Sequence, residues 1–107
     1  MLEKLKEILE SITGFEKKVA YRAFPEKEAP KLPFICYLET GANTFYADNK
    51  VYSSTDIVDI ELYSKYKDKK SEQLIEKALA DNNITWTKDR QYLENEKCYE
   101  TIYTVEV

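Results

Sequence analysis

The sequence predicts an α+β domain: a mostly antiparallel, mixed sheet of about five strands with two helices packed on one face, in the order α-β-β-β-α-β-β. Three observations predict it. Val58, Ile60 and Leu62 alternate with Asp59, Glu61 and Tyr63, the period-two pattern of a strand with one buried face. Leu74, Ile75, Ala78 and Leu79 then recur at helical spacing, so a long strand runs into an amphipathic helix and the unit Thr55–Leu79 supplies the core. Finally, Tyr99–Val107 closes the chain with a second alternating run.

Taken in order, Leu2, Leu5, Ile8, Leu9 and Ile12 give a first helix over residues 2–13, with Gly14 placed as its left-handed cap. Lys18–Phe24 reads as a first strand. Pro25, Pro30 and Pro33 bracket a charged loop, because proline donates no ladder hydrogen bond and restrains the residue before it. A second strand runs from Phe34 to about Thr40, with Phe34, Cys36 and Leu38 on one face and Ile35, Tyr37 and Glu39 on the other. It is apolar on both faces for most of its length, as suits an interior strand.

Residues 41–50 then form a long hairpin. Asp48-Asn49 is its turn, since both residues tolerate positive φ, and Gly41 allows a bulge. The arms carry Phe45, Tyr46 and Tyr52 near the tip; either Phe45 folds back onto the sheet or the tip is a contact surface. Asp68 or Ser71 caps the second helix, which ends near Asp81. Ile84–Thr87 begins a fourth strand, and Asp89–Lys97 contains a charged turn, with Tyr92 and Leu93 able to extend the pairing.

The bulk composition narrows the function classes. One domain spanning residues 1–107 is the expectation for this length, and about two-thirds of the unfolded surface is buried in so short a chain. The net charge of −4 opposes a nucleic-acid footprint, and the one basic cluster, Lys65, Lys67, Lys69 and Lys70, reads as a solvated helix entrance. No stretch approaches the ~20 apolar residues of a membrane span, and the amphipathic N-terminus does not read as a signal peptide. Cys36 and Cys98 have neither metal spacing nor a disulfide framework, which points to a reducing cytoplasm.

Catalytic chemistry has little to stand on. The chain has no histidine, and two glycines cannot write a phosphate-binding or dinucleotide loop. Asp59 and Glu61, two residues apart on one strand face, are the remaining pair that a divalent metal could use; the solvent face of any strand produces the same spacing. No catalytic residue, metal ligand or cofactor is expected.

Three blocks, in their order, resemble a known family: Leu32-Pro33-Phe34-Ile35-Cys36-Tyr37-Leu38, then Asn43-Thr44-Phe45-Tyr46-Ala47-Asp48-Asn49-Lys50-Val51-Tyr52, then Val58-Asp59-Ile60-Glu61-Leu62-Tyr63 with Lys67-Asp68. Tyr92-Leu93-Glu94 and Tyr99–Glu106 are also similar. The chain from Tyr21 onward resembles the small tail-completion, or tail-terminator, proteins of phages and prophages of Gram-positive bacteria.

That resemblance implies a non-enzymatic virion protein that caps the tail tube, ends its growth and joins tail to head. It implies self-association into a hexameric ring, contact with a tail-tube protein and a head–tail connector protein, and location in the virion tail after assembly in the bacterial cytoplasm. The expected interface residues are Asn43, Phe45, Tyr46, Asp48, Asn49 and Tyr52 of the hairpin. Another small neck protein of the same gene cluster is the nearest alternative. A small nucleic-acid-binding regulator and a metal-dependent nuclease are alternatives from other classes, opposed by the acidic balance and the missing histidine.

Overall fold

A computed structural model describes residues 2–25 and 29–107, and of Val51 and Tyr52 the backbone alone. The elements are α1 (Leu2–Glu10), β1 (Val19–Tyr21), β2 (Phe34–Ala47), β3 (Lys50–Ser64), α2 (Lys69–Asp81), β4 (Trp86–Leu93) and β5 (Cys98–Glu106). The sheet order is β1-β2-β3-β5-β4; β1 runs parallel to β2 and every other pairing is antiparallel. The expected α+β architecture and element order are therefore present. Among the described residues no helix is long and apolar enough to cross a membrane.

One face of the sheet makes the core. Ile35 and Tyr37 of β2 pair across Leu62 and Ile60 of β3, and those with Val58 face Thr101, Tyr103 and Val105 of β5. Both helices close over this face: Leu5, Ile8 and Leu9 of α1 and Ile75 and Leu79 of α2 join the same buried cluster. Asp68 caps α2, its carboxylate accepting from the Ser71 backbone N–H at 3.1 Å and from the Ser71 hydroxyl at 2.7 Å.

Several boundaries differ from the sequence expectation. α1 stops at Glu10 rather than residue 13, because the Ser11 hydroxyl donates to the Ile8 carbonyl at 2.6 Å and the following backbone bonds tighten to three-residue turns. Gly14 does adopt φ 95°, but in the turn beyond the helix, where its N–H donates to the Glu16 carboxylate. β1 is shorter than Lys18–Phe24, ended by Arg22 at φ 67°. The charged loop expected between Pro25 and Pro33 lies partly outside the described residues.

The charged turn expected within Asp89–Lys97 is present, at the far end of that stretch. Asp89–Leu93 belongs to β4, and the turn is confined to residues 94–97. Two charges of β4 are accommodated by α2. Lys88 and Arg90 alternate toward the helix, where Arg90 Nη2 lies 2.7 Å and Lys88 Nζ 2.9 Å from Glu72 Oε1; Lys88 also lies 2.9 Å from Glu76 Oε2. Glu72 is buried, and burial alone would raise its carboxyl; hydrogen bonds from Arg90 and Lys88 overcome this and hold it below the usual range.

Candidate functional site

The hairpin of β2 and β3 is longer than the sheet it belongs to. β5 pairs with β3 only from Ile57 inward, with one further pair of backbone bonds between Asp56 and Val107 at 2.8 and 2.9 Å. From Asn43 to Thr55 the chain is thus a two-stranded ribbon with no third strand among the described residues, reaching ~20 Å beyond the sheet at ~3.3 Å per residue. The molecule measures 50 × 29 × 23 Å, and its radius of gyration is 14.9 Å where a compact chain of this length would have ~13 Å.

Local chemistry explains the ribbon. Asp48 and Asn49 take φ 52° and 63°, the two left-handed positions of a tight two-residue hairpin turn, with Ala47 opposite Lys50. The register shifts between Glu39 and Gly41, so Thr40 is an extra residue where the arm leaves the sheet. It shifts again between Phe45 and Tyr46, with Tyr52 as the extra residue of β3.

The structure sorts the expected interface residues. Phe45 is 53% exposed and Tyr46 68% exposed, so neither folds back onto the sheet. Asp48 and Asn49 form the exposed turn. Asn43 is half-buried at the root of the arm, where its amide donates to the Glu106 carboxylate; Thr55 donates to the same carboxylate at 3.1 Å. It anchors the arm rather than its tip. The Tyr52 side chain lies outside the described residues.

The sheet face away from the helices holds features that sequence reasoning missed. Asp59 and Glu61 do share this face, but Asp59 accepts from Thr104 at 2.8 Å and Glu61 belongs to a second cluster. The Tyr63 hydroxyl stands 3.1 Å from Glu61 Oε1 and 2.9 Å from Glu100 Oε2, with Gln91 donating to Glu100. One hydroxyl hydrogen serves two carboxylates. Burial, then the charge of Glu100, pushes Glu61 up to about 7. The period-two pairing of Glu61 with Tyr63 was visible in sequence, but Glu100 arrives from another strand.

Cys36 and Cys98 are buried free thiols, and burial pushes Cys36 up to about 11, away from reactive thiolate. Among the described residues, no group of three Cys, Asp or Glu side chains is arranged to hold a metal ion. A hollow of ≈ 470 Å³ beside Trp86, Thr87 and Thr104 is open to solvent and brings one carboxylate, Glu106, to its lining.

Fold and arm together define a class: a small α+β protein that presents a projecting aromatic ribbon. Comparison with protein-family models and with curated proteins returns no match for the chain.

Proposed function

We propose that this protein is a structural virion component of the tail-terminator kind, which assembles as a ring, caps a phage tail tube and presents the surface that joins tail to head. The observation that carries this reading is the ribbon 43–55. A two-stranded hairpin is marginal in water by itself, and this one leaves Phe45 and Tyr46 in solvent. Aromatic side chains on a rigid arm are the groups that most often dominate an interface once a partner buries them. The order of residue blocks that resembles the terminator family supports the same reading, and the chain offers no histidine for an enzymatic one.

Replacing Phe45 and Tyr46 together by alanine tests it. Both side chains are exposed, so the double variant is expected to fold and melt like the parent. It should fail to cap: with tail-tube protein from its own gene cluster, tubes should grow to heterogeneous lengths, whereas the parent should give uniform ones by electron microscopy. Uniform tubes with the double variant would reject the arm as the capping element. Binding to the connector protein but not to the tube would instead favour a neck protein of the same cluster.

A further inference from the structure

Among the described residues nothing covers the middle of the sheet face away from the helices, and the charge of that face is one-sided. Alternation places Asp59 and Glu61 of β3, Glu100 and Glu106 of β5 and Asp89 of β4 on this face; Lys88 and Arg90 of β4 point the other way, to Glu72. Among the described residues β2 and β5 carry no lysine or arginine, those of β4 point to the helices, and Lys50 of β3 lies out at the hairpin turn, beyond the part of the sheet that β5 pairs with. Arg22 stands at one corner, over the Tyr21 ring. Between the carboxylates lie Leu38, Ile57 and Ile102, half-buried with no helix over them. The surface is flat, acidic and partly apolar.

The opposite charge sits at the end of the molecule farthest from the hairpin tip. There β3 ends at Ser64 and β1 begins at Val19, and the loop before α2 follows. Lys18, Tyr66, Lys69 and Lys70 line one groove at this end; Lys65 and Lys67 flank Tyr66, which is 65% exposed, and Lys17 is exposed beside Lys18. Of the carboxylates beside the groove, Asp68 caps α2 and Glu16 accepts from Gly14; the exposed Glu94 and Glu96 of the β4–β5 turn lie at the same end but across the sheet. An exposed aromatic ringed by ammonium groups suits a surface that is both apolar and acidic.

We propose that the lysine-rich end of one copy docks on the acidic sheet face of the next copy, so that the same contact repeats from subunit to subunit. The two surfaces are different parts of one chain, which makes the contact heterologous; contacts of that kind close into rings when the rotation permits. Charge complementarity selects a second copy as the occupant, because a chain with net charge −4 segregates a cationic end from an anionic face. This inference rests on the ring reading above and names the contact that builds the ring.

Charge exchange tests it. One variant reverses the face, Asp59→Lys with Asp89→Lys; another reverses the end, Lys67→Glu with Lys70→Glu. Each alone should remain a folded monomer by circular dichroism and analytical ultracentrifugation, with assembly weakened about tenfold or more. An equal mixture of the two should assemble again, with the copies alternating and an even number in each ring. A chain carrying all four changes should also assemble. Should the reversed face unfold, Asp59→Asn with Asp89→Asn is expected to weaken assembly in the same direction. Assembly of each reversed variant at parental strength, or a mixture that stays monomeric, would overturn the contact. So would loss of binding to a fluorescent DNA duplex in the end-reversed variant with assembly intact, which would make the lysines a polyanion site. A parent chain that never assembles, even with tail-tube protein, would remove the ring reading itself. A parent that assembles while ignoring these charges would remove only the contact.

Discussion

Glu61 shows how one residue carries information that its own strand does not. Its neighbours on the sheet face are Cys36 of β2, Asp59 and Tyr63 of β3, Glu100 of β5 and Asp89 of β4, and none is a cation. Burial, reinforced by the charge of Glu100, therefore goes uncompensated by any cation, and its carboxyl holds its proton to about 7, against 4.5 for an unperturbed glutamate. A raised acid contributes stability that is complete below the unfolded value and is lost as pH rises through the folded one. Glu61→Gln lacks that slope. The variant should gain stability relative to the parent between pH of about 5 and about 7 and hold the gain above it, by on the order of 1 kcal/mol after solvent screening. Thermal melts across this range report it; a pH-independent difference would show that Glu61 titrates normally. Glu72 behaves oppositely. Its depressed carboxyl stabilises the fold above the ordinary glutamate range, and that contribution fades as pH falls through its folded value.

Among the elements, α2 is specified twice, by its cap and by its stripe. Asp68 satisfies the first-turn N–H of Ser71, so Asp68→Ala should cost ~1 kcal/mol, as read from a denaturant midpoint. Ile60 and Leu79 are fully buried between the sheet and the helices, and replacing either by alanine should cost ~2–5 kcal/mol. Midpoints near the parental value for both alanine variants would mean that the core lies on the other sheet face. The arm follows a different rule. Its turn is coded locally by Asp48-Asn49, yet beyond Asp56 and Val107 it has no third strand to lean on. A residue pair sets its direction, while its stability comes from the β2–β3 ladder alone.

At the scale of the whole molecule, shape and charge align along one axis. The aromatic ribbon projects at one end, the lysines gather at the other, and the acidic sheet face lies between them. If the lysine-to-face contact joins the subunits, assembly should weaken as salt rises, because exposed charges are screened within ~10 Å at 0.1 M and ~3 Å at 1 M. If Phe45 and Tyr46 cap a tube by burying apolar surface, that contact should change little over the same range. Sedimentation and tube-length measurements across a salt series separate the two.

The sequence by itself determined the element order, the buried face of β3, the stripe of α2 and the hairpin turn. Each of these is written in a period or a residue pair a few positions long, and backbone geometry enforces it locally. Exposure at the arm, the extent of β4 and the proton shared around Tyr63 were decided only by tertiary structure. The sequence leaves open where strand gives way to turn within Asp89–Lys97; Glu72 and Glu76, on a helix of their own, receive Lys88 and Arg90 and let β4 run on to Leu93. Phe45 could have returned to the sheet, but β5 ends at Glu106 and leaves the ribbon without a surface to fold against. Glu61 and Glu100 are far apart in the chain, and only the register of β3 on β5 sets them around a single hydroxyl. Local patterns fix what a segment is; long-range register fixes which charges meet and which side chains are left for a partner.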